Sequence, residues 1–258
     1  MAELLVVPAL LAYGEAAVAY VGELRHPGAA GRLATWGVRI GWLLQTALLV
    51  VQASRSDGFP WGTWAGALNL FVWLVVGAYL IWGCRPGYRL LGLAVIPPVA
   101  LLLALAWLGG GTDIAAADGV GVPLALHVAL MLAAFAGFTL AAGLAALYLW
   151  ETRRLKRRDA RLLWRRLPPL EALERFSART VAVSLALLSA GILAGAVSLD
   201  GAGVDAAMVV SVLIWTVFAT TLVLRREVGL RGSRAAQLVV IGFALVAVVL
   251  PLTHFAAS

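Results

Sequence analysis

Charged residues and thiols are both scarce in this 258-residue chain. Only 13% of its residues are charged, and it has a single cysteine, Cys84. A soluble domain carries roughly a quarter charged residues, so this composition excludes an ordinary soluble enzyme. One thiol excludes an internal disulfide and cannot by itself form a zinc site. The sequence also lacks a CxxCH haem-attachment motif, a phosphate-binding glycine loop and an HExxH motif.

Apolar residues, in contrast, make up 62% of the chain and lie in long blocks. A helix needs about 20 apolar residues to cross a bilayer core of about 30 Å. Since backbone groups in lipid must be satisfied internally, we predict an all-α polytopic membrane protein, a bundle of eight transmembrane helices in a single domain over residues 1–258. The eight stretches are about 4–22, 34–53, 60–82, 89–108, 123–150, 181–199, 206–224 and 235–256.

The distribution of basic residues predicts the orientation of these helices. Eighteen of the twenty Lys and Arg residues lie in the loops after the first, third, fifth and seventh stretches. Because basic loops stay on the cytoplasmic side, both termini are expected outside, in the plasma membrane. The same asymmetry accounts for the net charge of +7 without a nucleic-acid partner. The basic loop at about 151–180 is then cytoplasmic, and it either contacts anionic lipid or docks a cytoplasmic protein.

Two of the three histidines fall at matching depths. His127 lies near the start of the fifth stretch and His254 near the end of the eighth, both about 6 Å inside the outer boundary. Two neutral imidazoles on different helices are typical axial ligands of a haem iron. Spacing alone leaves a second interpretation open, in which they are unrelated interfacial histidines. His26, in a short cytoplasmic loop, is given no role.

Glu15 and Arg39 are charged residues within predicted spans. A charge near the bilayer centre costs about 2.5–3.5 kcal/mol on insertion scales, so each is expected to have a partner. Their depths place them within side-chain reach, and we predict a structural ion pair. In one alternative Glu15 is protonated beside an Arg39 whose side chain reaches the interface. In another, Arg39 holds the carboxylates of a ligand, such as haem propionates.

Small and aromatic residues indicate how the helices pack. Small residues four apart allow close helix contact, as in Ala133/Gly137/Ala141 and Gly191/Gly195. The more deeply placed tryptophans pack either against helices or against a porphyrin; they are Trp64, Trp73 and Trp215.

Several segments together resemble a known family, the integral-membrane cytochrome c assembly proteins of the CcsA type with the related HemX-like proteins. The third stretch begins GFPWGTWAGALNLFVW, the fifth carries LHV, and the chain closes with LTHF. Between them runs RRLPPLEALERFSARTVAVSLALLSAGILAGAV, which is similar to the family's cytoplasmic loop and following helix.

The resemblance implies haem handling. It assigns His127 and His254 as axial ligands of a non-covalent, b-type haem. The chain departs from the family pattern at three places. The stretch SLDGAGVDAA stands where a tryptophan-rich WWD loop is expected, Gln45 replaces a histidine, and Gly66 replaces a glutamate. The HemX-like branch has a similarly reduced loop.

The sequence therefore predicts a haem-binding membrane protein that assists cytochrome c biogenesis together with a second membrane subunit. Haem would lie near the outer face between His127 and His254, and Arg39 would be a second, weaker candidate for carboxylate contact on the cytoplasmic side. We do not expect the chain alone to be an enzyme. Two alternatives remain: a HemX-like scaffold of tetrapyrrole synthesis, or an accessory structural subunit of a larger membrane complex.

Overall fold

In the computed structural model, all regular secondary structure in the described residues is α-helix. These are residues 3–23, 28–56, 61–83, 89–113, 121–157, 168–197 and 206–256, with the side chains at 82–83, 89–90, 206–207 and 246–256 left out. Over the described residues the predicted all-α chain with eight helices is confirmed, and the crossing of the membrane by all eight stays a prediction. The helices are α1 (Glu3–Glu23), α2 (Ala29–Arg55), α3 (Trp64–Gly83), α4 (Arg89–Leu108), α5 (Val122–Lys156), α6 (Leu170–Val197), α7 (Ala206–Glu227) and α8 (Ser233–Ala256).

Length and apolarity make the chain an integral membrane protein. Helices α1 to α7 are each long and apolar enough to cross a membrane. In α8 the apolar stretch with described side chains is Ser233–Leu245, which is shorter. The orientation, with both termini outside, stays a prediction.

The segment expected as a basic loop, at about 151–180, is partly helical in the structure. Helix α5 continues to Lys156, and α6 already begins at Leu170. Pro168 and Pro169 come directly before α6, where the fixed φ of proline suits the start of a helix. Apolar patterning does not predict these helical turns, because they contain charged residues.

The chain divides into two compact units. Unit 1, Met1–Gly121, contains α1 to α4, and unit 2, Val122–Ser258, contains α5 to α8. The single domain expected over residues 1–258 stays a prediction.

Small residues bring α1 and α2 together in unit 1. A Cβ atom on Gly41 would lie 2.6 Å from the Tyr13 ring, and one on Gly37 would lie 3.0 Å from the Ala12 carbonyl oxygen. Since real Cβ atoms essentially never approach within 3.0 Å, glycine at position 41 is what allows the Tyr13 ring to pack this closely against α2.

The same principle joins α5 and α6 in unit 2. A Cβ atom on Gly137 would overlap the Ser184 hydroxyl, and the Ser177 hydroxyl donates a 3.0 Å hydrogen bond to the Ala141 carbonyl. Residues early in α6 therefore meet residues late in α5, which means that the two helices are antiparallel. The close approach predicted from the small residues of α5 is confirmed.

Candidate functional site

His127 lies in the first turns of α5, and its imidazole is half-buried against α6. Its Nδ1 is 2.7 Å from the carbonyl oxygen of Gly191. A carbonyl oxygen only accepts hydrogen bonds, so Nδ1 carries the proton and donates it. In the neutral ring the lone pair is then on Nε2, which is the atom available to a metal.

Helix α6 makes room for this ring with two glycines one turn apart. A Cβ atom on Gly195 would lie 2.6 Å from Nδ1 and 2.8 Å from Cε1 of His127. A Cβ atom on Gly191 would lie 3.0 Å from Sδ of Met131, the residue one turn after His127 on α5. The pair Gly191/Gly195 predicted from small-residue spacing thus allows a close contact, and the group it admits is the histidine.

Helix α8 packs against α5 in the same unit. A Cβ atom on Gly232, which directly precedes α8, would lie 3.5 Å from the Tyr148 hydroxyl, so α8 starts near the end of α5 and runs antiparallel to it. His127 precedes Tyr148 by 21 residues, and His254 follows Gly232 by 22. At 1.5 Å per residue both counts correspond to about 32 Å of helix. The His254 side chain lies outside the described residues, and pairing of the two imidazoles stays a prediction.

The predicted ion pair between Glu15 and Arg39 is wrong. Both side chains are exposed, and no ion pair joins them in the described part of unit 1. Helix α1 buries Tyr13 and Ala16 against its neighbours, which turns Glu15 to another face of the helix. The Arg39 guanidinium lies over the Trp36 ring, 5.2 Å from its centroid. A contact of Arg39 with ligand carboxylates stays a prediction.

Deep tryptophans have protein partners in the structure. Trp73 stacks on Trp42 with ring centroids 5.4 Å apart, and its Nε1 donates a 2.7 Å hydrogen bond to the Thr46 hydroxyl. Trp215 donates a 2.8 Å hydrogen bond from Nε1 to the Ser189 hydroxyl. Trp73 and Trp215 therefore pack against helices, and a contact with a porphyrin stays a prediction.

Comparison with known proteins identifies the family. The family model described as "Cytochrome C assembly protein" matches residues 61–255, about three quarters of the chain. The chain belongs to the cytochrome c assembly protein family. The match includes both His127 and His254, whereas Arg39 and Gln45 precede it.

Two relatives extend the comparison. The chain is 29% identical to "Protein HemX" of Brevibacillus brevis over 83% of this chain and 81% of the relative. It is 27% identical to "Uncharacterized 28.8 kDa protein in nifR3-like 5'region" of Azospirillum brasilense over 96% of this chain and 94% of the relative. The resemblance to the family and to its HemX-like members is therefore confirmed.

This cytochrome c assembly protein contains a second polar centre, in unit 1, which the sequence analysis did not predict. Gln45 is fully buried at the contact of α1, α2 and α3. Its Oε1 accepts a 2.9 Å hydrogen bond from the Tyr13 hydroxyl, and its Nε2 donates to Oδ1 and O of Asn69 at 2.9 and 3.0 Å. Where the family resemblance expects a histidine, the amide of Gln45 joins three helices instead.

The same network reaches the segment after α4. The Gln52 side chain is buried, and its Nε2 donates 3.1 Å hydrogen bonds to the carbonyl oxygens of Gly111 and Asp113. Asn69 Nδ2 donates to Gln52 Oε1 at 3.2 Å. In the sequence these amides are isolated polar residues on α2 and α3, and the available signal was a polar side chain inside an apolar stretch.

Exposed cations cluster at the opposite end of unit 2 from His127. A small cavity lined in part by Tyr148, Arg225 and Ala235 shows that the end of α5, the end of α7 and the start of α8 lie together. The Arg225 guanidinium forms a 3.0 Å ion pair with Glu174 of α6. Among the described residues, the exposed cations on the helix ends near this cavity, here called the basic end, are Arg153, Arg154, Lys156, Arg157, Arg175, Arg179, Arg226, Arg231 and Arg234.

Proposed function

We propose that this chain holds a non-covalent, b-type haem near the outer face of the plasma membrane and assists cytochrome c biogenesis. His127 and His254 are the axial ligands in this proposal. The observation that carries it is the hydrogen bond from His127 Nδ1 to the Gly191 carbonyl. Histidines that ligate metals typically donate their second ring nitrogen in this way, which fixes the tautomer and the ring orientation.

The residues present fit a haem ligated by histidine. His127 offers a neutral nitrogen without a competing carboxylate partner in its described surroundings, and its ring is held by the backbone of a neighbouring helix. The family match supports haem as the ligand, since members of this family assemble cytochromes c. Haem bound there would be the prosthetic group delivered to apocytochrome, and the chain's own part is to hold and orient it.

Further parts of the proposal concern topology and partners. The Arg-rich loops support a cytoplasmic basic end, which puts the start of α5 and the end of α8 at the outer face. In this proposal a second membrane subunit presents the apocytochrome. Arg39, exposed on unit 1, is a weaker candidate for contact with ligand carboxylates on the cytoplasmic side.

A second candidate function is that of a HemX-like scaffold whose basic end docks a cytoplasmic enzyme of tetrapyrrole synthesis. The exposed cations at the basic end and the similarity to a protein named HemX favour it. Such a scaffold does not require haem in unit 2, so the two functions depend on opposite ends of this unit.

Neutralising the basic end should distinguish the two functions in cells that lack the native chain. With Arg153, Arg154, Lys156 and Arg157 all changed to Gln, the proposed function predicts that covalent haem in cytochrome c, seen by haem staining of gels, stays close to the wild-type level. His127→Ala should lower the same signal at least tenfold. Loss of a residue that supports a metal ligand typically reduces metal affinity or activity about 10–100-fold, and loss of the ligand itself should reduce it no less.

A reporter fused to the C-terminus must show unchanged topology in both variants, since basic loops determine orientation. If cytochrome c were normal in His127→Ala while the neutralised basic end lost a co-purifying cytoplasmic enzyme, the scaffold would replace the proposed function.

A further inference from the structure

The two glycines of α6 that face His127 do more than let two helices approach. We propose that Gly191 and Gly195 are positioning residues for the ligand His127: Gly195 provides the space for the ring, and the Gly191 carbonyl fixes its tautomer and orientation. This inference rests on the proposed function for its meaning, but its geometry concerns only residues of α5 and α6.

The hydrogen bond selects one ring nitrogen for the metal. The Gly191 carbonyl lies inside α6, where its helical partner is the N–H four residues later. A carbonyl oxygen has two lone pairs, so it accepts the bond from His127 Nδ1 at 2.7 Å in addition. Nε2 is left as the ligand atom. A ring that donates its other N–H is also a more basic ligand, which stabilises oxidised iron.

The space for the ring depends on Gly195 more than on Gly191. A Cβ atom at position 195 would meet Nδ1 and Cε1 of the ring at 2.6 and 2.8 Å. A Cβ atom at position 191 would meet Sδ and Cγ of Met131 at 3.0 and 3.2 Å. An imidazole tied to a backbone carbonyl cannot move away without losing its hydrogen bond, whereas an unbranched thioether adapts. Alanine should therefore displace the histidine at 195 and only shift the methionine at 191.

The chain offers a matched control for both substitutions. Gly14, within α1 of unit 1, has no heavy atom within 4 Å of the position that a Cβ would take. Gly14→Ala thus adds the same methyl group to a membrane helix without a steric consequence. Any effect common to all three alanine variants is a general effect of replacing a helical glycine.

The first test uses the haem-free chain in detergent with ¹⁵N-labelled histidine. The chain has three histidines, so His→Gln variants assign each signal. We expect His127 to carry its proton on Nδ1 in the wild type, in Gly191→Ala and in Gly14→Ala, and to lose this preference in Gly195→Ala. A proton on Nε2 in the wild type, or an unchanged tautomer in Gly195→Ala, would overturn the inference.

The second test uses the chain loaded with haem. Gly195→Ala should weaken haem binding by about 10–100-fold, the usual loss of affinity when a contact that supports a ligand is removed. It should also raise the midpoint potential, because a ring without this hydrogen bond is a less basic ligand. Gly191→Ala and Gly14→Ala should match the wild type. If His127→Ala removes haem but Gly195→Ala changes neither affinity nor potential, the positioning role is wrong and the proposed function stands. If His127→Ala keeps its haem, the proposed function is wrong whatever the tautomer experiment shows.

A third measurement decides the matter if Gly195→Ala does not fold. In His127→Gly loaded with haem, added imidazole can both ligate iron and donate to the Gly191 carbonyl, whereas 1-methylimidazole can only ligate. Imidazole should restore the low-spin spectrum at a concentration roughly two- to tenfold lower, the usual worth of one hydrogen bond. Equal concentrations for the two ligands would contradict the positioning role.

Discussion

Replacing His127 by alanine should remove the low-spin haem spectrum of the purified chain. The substitution deletes a ring that the α6 backbone holds through a 2.7 Å hydrogen bond to Nδ1. Loss of a first ligand should reduce haem affinity at least as much as the 10–100-fold typical of losing a supporting contact. His254→Ala should have the same effect, since six-coordinate iron needs both imidazoles. Visible spectra of the oxidised and reduced protein, with haem quantified as the pyridine haemochrome, measure both changes.

His26→Ala is the control for these variants, because it removes the third histidine of the chain from a segment predicted to be a cytoplasmic loop. Its spectrum should equal that of the wild type. A spectrum lost in His127→Ala but kept in His254→Ala would leave His127 as a ligand and exclude His254. A spectrum that none of the three substitutions changes would contradict the histidine site as a whole.

Replacing Gln45 by alanine should give the largest loss of stability in unit 1. The substitution leaves the Tyr13 hydroxyl and Asn69 Oδ1 without the hydrogen bonds that they make to Gln45. Gln45 and both partners are fully buried, so water does not replace these bonds. At about 1–3 kcal/mol for each buried group left unsatisfied, we expect a loss of about 3 kcal/mol. The midpoint of thermal unfolding in detergent should fall by about 6–12 °C.

Gln237→Ala provides the matched control, because the Gln237 side chain is exposed on α8. It should change the free energy of unfolding by no more than a surface substitution does, about 0.5 kcal/mol. The spectrum of bound haem should be unchanged in Gln45→Ala, since the proposed ligands belong to unit 2. Equal midpoints for Gln45→Ala and Gln237→Ala would show that the amide network does not hold unit 1 together.

The sequence was sufficient to predict the helices because one physical requirement dominates them. A chain in lipid must satisfy its backbone within each span, so length and apolarity locate spans well. This requirement does not apply outside the bilayer, and there the helices extend beyond the predicted apolar stretches. The turns of α5 up to Lys156 and of α6 from Leu170 continue through charged residues, and a search for apolar stretches reads such turns as loop.

Contacts between helices were harder to predict. Glu15 and Arg39 have matching depths, but depth does not determine the side of the helix on which a residue lies. The burial of Tyr13 and Ala16 decides that side, and it separates the charges. Likewise, the amide network depends on which faces of α1, α2 and α3 meet, and the spacing of polar residues along one helix carries no such information.

The candidate site was predictable in part. His127 was indicated by its depth and by the family resemblance, and the spacing of Gly191 and Gly195 indicated a close helix contact. That the contact admits the histidine follows only from the antiparallel register of α5 and α6, which the structure supplies. The signal available in the sequence was that His127 and Gly195 lie equally far from the outer ends of their predicted spans, 123–150 and 181–199.

The measurement that tests the central claim most directly is the haem content of the full chain, purified in mild detergent after expression with a haem precursor. The proposed function predicts close to one b-type haem per chain, released by acidified solvent because it is non-covalent, with the spectrum of a six-coordinate low-spin iron. A chain that folds and reaches the membrane but contains no haem under these conditions, and takes up none when haem is added, would contradict it.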